Sequence, residues 1–338
     1  MLARRARTGL LLLGLLALAP PLAAAAPLAP AAVASFIDDM AARHGFERAA
    51  LATLFAGIER NDRIISLMTR PAEKVKPWWE YRALFISEKR IKDGIAFWHE
   101  NAASLARAQD KYGVPPEVIV AIIGVETSYG RITGGHRVME ALATLAFHYP
   151  GGNEARAKFF RAQLEHALLL AREEALDPLE LEGSYAGALG MPQFMPENYR
   201  KLAVDFDGDG RRNIWTDADD AIGSVANYLH HHGWRAQGQI VSQAQVGGGD
   251  TGRFVQTTLK PDHQLGQLIA SGIAPVVPNS HHDDEVALFE LEARNGNEYW
   301  IGYTNFYVIS RYNPRIKYAM AVAQLAEAIR SRRGAATE

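Results

Sequence analysis

Apolar residues recur at helical spacing over most of the first third of the chain, from Ser35 to about Arg107. The pattern is broken once, by the proline-containing stretch "TRPAEKVKPWWEY". A second type of pattern follows in "GVPPEVIVAIIGVET", where a proline pair precedes an uninterrupted apolar run. Prolines suit a first helical turn, and an all-apolar helix is typical of one that is buried on every side. The spacing predicts two further helices, Arg137 to His148 and Arg156 to Ala175.

The pattern of apolar residues changes after Trp234, where short runs of alternating apolar and polar residues replace helical spacing. Two of these runs, Val286 to Glu292 and Tyr299 to Ser310, flank an Asn-Gly pair and predict a β-hairpin. The tail from Pro314 to Arg332 returns to helical spacing, and we expect it to pack back onto the N-terminal helices. The predicted fold class is mainly α (α+β), with a small antiparallel β domain.

Composition places the chain among globular, exported proteins. It has 338 residues, 48% of them hydrophobic and 22% charged, and no cysteine. The first 25 residues combine three arginines, an apolar run from Leu10 to Ala19 and small residues near Ala23, which predicts a cleaved signal peptide. An uncleaved N-terminal anchor is the alternative. Without a cysteine for lipid attachment, we expect a soluble periplasmic protein.

The charge balance argues against nucleic-acid binding. The formal charge is −2, and it becomes −5 when the three leader arginines are removed. A mildly acidic chain is a poor ligand for polyanions. The chain also lacks the HExxH, P-loop and GxSxG patterns, so zinc protease, nucleotide hydrolase and serine hydrolase functions lack their residues.

Glu126 is the first candidate for chemistry, because it ends the buried apolar helix in "IIGVETSYGR". Loss of hydration raises the pKa of a carboxyl group, which suits a general acid at neutral pH. The alternative is a glutamate that caps the helix or forms a salt bridge. A second candidate segment, "GSYAGALGMPQFMPENY", interleaves glycines and prolines with aromatic and amide side chains, as carbohydrate sites do. By itself it could equally be a structural loop.

An aspartate-rich loop from Asp205 to Asp220 is the third candidate. Asp205, Asp207 and Asp209 occupy alternate positions before a glycine, and Arg211 at the seventh position could offer its carbonyl, as in an EF-hand. The twelfth position is Thr216 instead of glutamate, so the closing ligand would be Asp219 or Asp220. An Asx-rich turn without metal is the alternative.

With these motifs in hand, the chain resembles the B-type lytic murein transglycosylases, glycoside hydrolase family 103. The matching runs appear in the family's order over nearly the whole mature chain: "YGVPPEVIVAIIGVETSYGR", "ALATLAFHYP", "GSYAGALGMPQFMP", "YRKLAVDFDGDGRRNIW", "DAIGSVANYLHHHGW" and "NFYVISRYN". The resemblance implies a lysozyme-like catalytic core at 106–233. A helical domain at 35–105, completed by the C-terminal helix at 314–333, and a β domain at 234–313 would flank the core.

The implied activity is cleavage of the β-1,4 bond between N-acetylmuramic acid and N-acetylglucosamine without net hydrolysis, leaving 1,6-anhydromuramic acid. The residue matching Glu126 would first protonate the leaving oxygen and then take the proton of the muramoyl 6-hydroxyl. A substrate that supplies its own nucleophile needs one carboxylate, whereas most glycosidases pair two.

The same match implies binding residues. Ser184 and Gln193 would contact the acetamido group and the catalytic region, and the sugar groove would be lined by Tyr81, Phe194, Tyr228, Tyr312 and Asn313. A structural calcium ion would be held by Asp205, Asp207, Asp209, Arg211 and Asp220; Asp220 is preferred to Asp219 because "DAIGS" begins a helix in the family pattern. The expected partners are peptidoglycan glycan strands and cell-wall synthesis or remodelling proteins, with no nucleic acid, and the expected state is a monomer.

Three departures from the family pattern affect these expectations. Within the Gly-rich segment, Met191, Pro192 and Glu197 depart from the family pattern and alter the local loop. A groove tyrosine of the family falls at Phe159, which loses a hydroxyl, and the calcium loop is one residue longer. Two rival functions stay open on the sequence, a hydrolytic muramidase in which water replaces the 6-hydroxyl and a non-catalytic peptidoglycan-binding protein.

Overall fold

The computed structural model describes residues 27–69, 76–248 and 250–335, so the predicted signal peptide lies outside the described residues. Helices dominate the described chain, as predicted. They are α1 Pro30–His44, α2 Arg48–Ala56, α3 Asp62–Thr69, α4 Trp78–Phe85, α5 Glu88–Glu100, α6 Ala102–Tyr112, α7 Pro116–Thr127, α8 Val138–Phe147, α9 Glu154–Glu173, α10 Pro196–Leu202, α11 Ala218–His231, α12 Leu265–Ala270, α13 Thr304–Ser310 and α14 Ile316–Gly334. None of these helices is long and apolar enough to cross a bilayer.

Helix α7 is the centre of the helical part. Its first turn carries Pro116, and every residue from Val118 to Val125 is buried. Helices α5, α6, α11 and α14 pack around it, which explains the absence of a polar face. The predicted helix buried on all sides is therefore confirmed, and its burial fixes the position of the residues at its end.

The C-terminal helix α14 packs against α4, α5 and α7, which confirms that the tail folds back onto the N-terminal helices. Small residues such as Ala319 and Ala323 alternate with larger ones such as Met320 along its buried surface. Because α14 packs along α7, the first turn of α14 lies near the end of α7. Chain positions almost two hundred residues apart thus meet in one region.

Seven strands form two antiparallel sheets among the described residues. The strands are β1 His136–Arg137, β2 Glu182–Gly183, β3 Val241–Val246, β4 His263–Gln264, β5 Ile273–Pro275, β6 Glu285–Ala293 and β7 Gly296–Gly302. β1 pairs with β2, and the other five have the order β4-β6-β7-β3-β5. The predicted hairpin is β6–β7, with Ala293 opposite Gly296 across the turn.

The prediction of a strand from Tyr299 to Ser310 is wrong in its second half. β7 ends at Gly302, and Thr304–Ser310 forms helix α13. The buried side chain of Asn305 explains the change, since it donates to the carbonyls of Arg235 and Gly238 and accepts from the Arg235 amide. Burial of this amide in a tertiary contact outweighs the β propensity of the aromatic and β-branched residues around it.

Candidate active site

Glu126 lies in the last turn of α7, one residue before the helix ends. Its side chain is half-buried among apolar helices. Burial raises the pKa of Glu126 to about 7, while a hydrogen bond from Tyr318 acts in the opposite direction. A carboxyl with this pKa is populated in both protonation states near neutral pH, as a group that donates and then accepts a proton requires.

The hydrogen bond from Tyr318 is short and direct. Its hydroxyl lies 2.5 Å from Glu126 Oε1, and the ring is 3% exposed in the first turn of α14. This bond fixes one carboxylate oxygen, and within the described chain the other oxygen accepts no hydrogen bond. Tyr318 is not among the site residues predicted from the sequence, where its only signal is its place just beyond the "NFYVISRYN" motif.

The backbone after Glu126 turns sharply. Ser128, Tyr129 and Gly130 have consecutive positive φ angles of 52°, 63° and 79°. Two of these residues have side chains that disfavour the left-handed region, so the surrounding structure must hold them there. Part of that support is the Tyr129 ring, which packs on Gly124, where an added Cβ would lie 2.6 Å from its hydroxyl oxygen.

Helix α5 is hydrogen-bonded to the turn that follows Glu126. The Tyr129 hydroxyl donates to the Arg90 carbonyl at 2.8 Å, and the Arg90 guanidinium donates to the Gly124 carbonyl. That carbonyl also accepts the Ser128 amide, which caps α7. The three contacts join α5 to the final turn of α7, so Glu126 is presented from a rigid support.

Thr127 connects the end of α7 to the Gly-rich segment. Its Oγ1 donates to the Met191 carbonyl at 2.9 Å and accepts the Gly130 amide at 3.0 Å. Thr127 is 1% exposed, so these bonds are shielded from water. They set the distance between Glu126 and the segment that carries Ser184 and Gln193.

The Gly-rich segment folds on itself through its polar side chains. Ser184 Oγ accepts the amides of Ala186 and Ala188 at 3.3 and 3.0 Å. Gln193 has a φ of 52° and donates from Nε2 to the carbonyls of Thr133 and Gly190. In the described chain nothing donates to Gln193 Oε1, so a side-chain acceptor is available there, as is the Ser184 hydroxyl proton. Contact with an acetamido group stays a prediction for both residues.

Three of the predicted groove residues form one aromatic cluster. The ring centroids of Tyr228 and Tyr312 are 4.5 Å apart, and Phe194 lies 5.5 and 5.9 Å from them. The tyrosine hydroxyls donate to the carbonyls of Arg311 and Pro192, which fixes both rings. Phe194, Tyr81 and Tyr228 are 1%, 2% and 4% exposed, so all three rings are buried in this structure. Contact of these rings with sugar stays a prediction.

Tyr81 and the two tyrosines of the cluster lie close enough to Glu126 for its charge to affect them. The charge of Glu126 contributes to raised pKa values of Tyr81, Tyr228 and Tyr312, although burial is the larger cause for each. The Tyr81 hydroxyl makes no hydrogen bond with the described residues. Asn313 is half-buried directly after Tyr312. The structure thus brings the predicted tyrosines to Glu126.

The departures from the family pattern have different consequences. Met191 packs beside Gly130 and Pro192 accepts the Tyr312 hydroxyl, so both belong to the site. Glu197 instead bonds to Gln163 and Lys201 at the start of α10. Phe159 is 38% exposed on α9 and lies under the Arg156 guanidinium.

The aspartate-rich loop presents a cluster of hard oxygen donors. One carboxylate oxygen from each of Asp205, Asp207 and Asp209 lies within 4.8 Å of the others, and all three side chains are exposed. Asp205 also accepts the amides of Gly208 and Gly210, which curls the loop around the cluster. Close, solvent-facing carboxylates fit a calcium ion.

Asp219 and Asp220, the two acids at the end of the loop, make different contacts. Asp220 is 1% exposed and accepts the amides of Phe206 and Asn213, so it holds the two flanks of the loop together. Asp219 turns to α6, where it contacts Ser104 and Arg107. These contacts disfavour Asp219 as a ligand, and coordination by Asp220 or the Arg211 carbonyl stays a prediction.

Comparison with known proteins places this arrangement in context. A family model described as the transglycosylase SLT domain matches residues 29–327. Membrane-bound lytic murein transglycosylase B of Escherichia coli (strain K12) is 44% identical over 305 residues, covering 87% of this chain and 81% of that protein.

Two solved structures are similar along nearly their whole length. Soluble lytic transglycosylase SltB1 from Pseudomonas aeruginosa has a TM-score of 0.84 and 49% identity, covering 89% of this chain and 99% of its own. The Escherichia coli lytic transglycosylase Slt35 in complex with calcium has a TM-score of 0.81 and 41% identity, covering 94% and 99%.

Proposed function

The chain belongs to the transglycosylase SLT domain family, and we propose that it cleaves peptidoglycan with Glu126 as its only proton-transferring residue. It is a peptidoglycan lytic transglycosylase, an enzyme that cuts glycan strands without net hydrolysis. The observation that carries the proposed role of Glu126 is its pKa of about 7 at the end of a buried helix, beside a single hydrogen-bond donor.

In the first proposed step, protonated Glu126 gives its proton to the glycosidic oxygen between N-acetylmuramic acid and N-acetylglucosamine. The bond from C1 to that oxygen breaks, and N-acetylglucosamine leaves as an alcohol. The low-polarity surroundings that raise the pKa of Glu126 keep enough of the acid form at neutral pH for this transfer.

In the second step, the Glu126 carboxylate takes the proton of the muramoyl 6-hydroxyl, and the oxygen of that hydroxyl bonds to C1. The product is a 1,6-anhydro ring, the carboxyl is regenerated, and no water is consumed. The hydrogen bond from Tyr318 keeps the carboxylate in one orientation through both steps. The Tyr228 and Tyr312 rings, each held by a hydrogen bond from its hydroxyl, would pack against the sugar near C1.

The experiment that tests this scheme is digestion of purified peptidoglycan by the wild type and by Glu126→Gln, with mass spectrometry of the products. We expect muropeptides lighter than their reducing forms by one water, and their loss in the variant. Reducing ends would indicate a hydrolase, and unchanged turnover by the variant would exclude Glu126 as the proton-transferring residue.

A calcium ion is proposed for the loop that contains Asp205, Asp207 and Asp209. Support comes from the spacing of their oxygens, all within 4.8 Å of one another, and from the calcium complex of the relative Slt35. The ion would act structurally, because Asp220 already ties the loop to α11 and thereby to the catalytic core.

A soluble periplasmic location is proposed from the leader-like N-terminus and the absence of cysteine. Fractionation of cells into periplasm, membrane and cytoplasm tests it. Recovery of the mature protein in the membrane fraction after a salt wash would contradict the proposal.

A further inference from the structure

Tyr129 lies three residues after Glu126, in the sharp turn that ends α7. Its φ of 63° belongs to the left-handed region, which residues with a Cβ disfavour. The backbone alone therefore does not hold Tyr129 there, and contacts of its side chain have to compensate. The residue is 9% exposed, so almost the whole ring is in contact with the protein.

The Tyr129 ring occupies a socket formed by Gly94 and Phe97 of α5 and Gly124 of α7. A Cβ added at either glycine would lie 2.6 Å from the Tyr129 hydroxyl oxygen, so neither position accepts a side chain without a shift. The Phe97 ring centroid lies 5.8 Å from that of Tyr129. Glycine is unfavourable inside a helix, and the close approach of this hydroxyl explains its presence in both helices.

Arg90 joins this socket to the end of α7. Its carbonyl accepts the Tyr129 hydroxyl at 2.8 Å, and its guanidinium donates to the Gly124 carbonyl. The Arg90 side chain is half-buried, with the guanidinium carbon 5.4 Å from the centroid of the Phe85 ring. Because a half-buried cation needs an acceptor, Arg90 favours the position of α7 that brings the Gly124 carbonyl to it.

Little chain separates the socket from Glu126. Thr127 and Ser128 are the residues between Glu126 and Tyr129, and Gly124 lies two residues before Glu126. The last turn of α7 is thus attached to α5 on both sides of Glu126, through Gly124 and through Tyr129. A shift of either attachment moves the Glu126 carboxyl within one helical turn.

We propose that Tyr129 is a positioning residue of glycan cleavage: seated in its socket, it holds the last turn of α7 so that the Glu126 carboxyl stays buried and directed at the glycosidic oxygen. The proposal rests on the proposed function of Glu126. Tyr129 acts through Glu126 and not on the substrate, because its hydroxyl is directed at α5. Gly94 and Arg90 serve the same purpose, since each fixes the Tyr129 side chain.

The pKa of Glu126 reports whether this turn is held. Burial raises it to about 7, so a looser turn that admits water should bring it back towards 4.5. The ionisable groups that face Glu126 are tyrosines: Tyr81, Tyr228, Tyr312 and Tyr318. Those that face Tyr129 are Arg90, Asp93 and Arg131. Among these groups Tyr318 is the one that hydrogen-bonds to Glu126, so changes at Tyr129 act through burial.

Two variants perturb the socket in different ways. Tyr129→Phe keeps the ring and removes the bond to the Arg90 carbonyl, whereas Gly94→Ala keeps the hydroxyl and places a methyl group against it. With soluble glycan fragments as substrate, we expect kcat to fall about tenfold in each, with KM unchanged, because the predicted sugar-binding residues are not altered. The alkaline limb of the kcat/KM profile should move to lower pH, since the pKa of Glu126 falls.

Arg90 offers a matched pair of variants. Arg90→Lys keeps a charged donor for the Gly124 carbonyl and should retain most of the activity, whereas Arg90→Met, of similar length, should behave like Tyr129→Phe. Gly266→Ala controls for a methyl group added inside a helix, because Gly266 lies in α12, where the added Cβ would be 3.3 Å from the nearest atom. Its kcat and pH profile should equal those of the wild type.

An alkaline limb that stays at its wild-type pH in Tyr129→Phe and Arg90→Met, with only the melting temperature lowered, would overturn the proposal, because Tyr129 would then stabilise the fold without positioning Glu126. A rise in KM at unchanged kcat would do the same. If Gly94→Ala does not fold, the other two variants decide. Anhydro products that the wild type releases and Glu126→Gln does not establish the proposed function independently, so a failure of the role of Tyr129 is distinguishable from a failure of that function.

Discussion

The Tyr318 hydroxyl lies 2.5 Å from Glu126 Oε1, although 192 residues separate the two in the chain. Tyr318 belongs to the first turn of α14 and Glu126 to the last turn of α7. The C-terminal helix therefore completes the environment of the candidate acid. Its packing along α7 sets both the orientation and the basicity of the carboxylate.

Tyr318→Phe tests this relationship. Removing the hydroxyl takes away a bond that lowers the pKa of Glu126, so that pKa should rise and the alkaline limb of the activity profile should move to higher pH. Activity at neutral pH should fall about tenfold, because one oxygen of the carboxylate is no longer held. Tyr303→Phe, in a buried position of the sheet region, should change neither the activity at neutral pH nor the position of the alkaline limb. An unshifted profile would contradict the assigned role.

The pH dependence of the wild type follows from the same group. Glu126 must carry a proton to begin the reaction, and its pKa is raised to about 7 by burial. We therefore expect kcat/KM on peptidoglycan fragments to fall as pH rises above about 7. Turnover that stays constant to pH 9 would exclude Glu126 as the acid.

Glu126→Gln should abolish activity and stabilise the fold. The folded-state pKa lies above the usual 4.5, so the folded protein binds more protons than the unfolded chain between these values. Stability of the wild type should consequently fall as pH rises from about 4.5 to 7, by up to about 3 kcal/mol. Denaturant unfolding should show that the free energy of unfolding of the variant exceeds that of the wild type by more at pH 8 than at pH 5. A constant difference would argue against a raised pKa.

Thr127→Val tests the link between α7 and the Gly-rich segment. The change leaves the Met191 carbonyl and the Gly130 amide without their partner, which should cost about 1–3 kcal/mol of unfolding free energy and reduce kcat. Thr53→Val is the matched control, because the Thr53 hydroxyl donates to the Ala49 carbonyl four residues earlier, as the Thr127 hydroxyl can to the Ile123 carbonyl, but Thr53 is exposed. Equal activity of the two variants would show that the link does not position Glu126.

Asp205→Asn tests the proposed calcium loop. Saturating calcium should raise the melting temperature of the wild type by about 5 °C, as expected for a ligand near 100 times its Kd, and this gain should disappear in the variant. Asp283→Asn, an exposed aspartate of another loop, should keep it. Chelation that stops activity without lowering the melting temperature would point to a catalytic ion instead.

The sequence alone was sufficient for the elements whose signals are local. The apolar run of α7, the Asn-Gly turn between β6 and β7, and the alternating aspartates were each predicted where the structure has them. Hydrophobic periodicity and turn chemistry act over a few residues, so they can be read directly. The family resemblance added Glu126 and the groove tyrosines, which the fold brings together.

Other features depended on contacts between distant parts of the chain. Helix α13 replaced a predicted strand because the Asn305 amide is buried against the backbone at Arg235 and Gly238. Tyr318 gained its role from the packing of α14 on α7, and Phe194 and Tyr228 are buried together in one aromatic cluster.

What the sequence determined by itself was thus the set of helices, the hairpin and the residue types able to donate protons or bind calcium. Only the tertiary structure decided which of those residues meet, how deeply each is buried and what pKa Glu126 has. The physical reason is that desolvation and hydrogen bonding across 192 residues depend on packing, which no local pattern of the chain encodes.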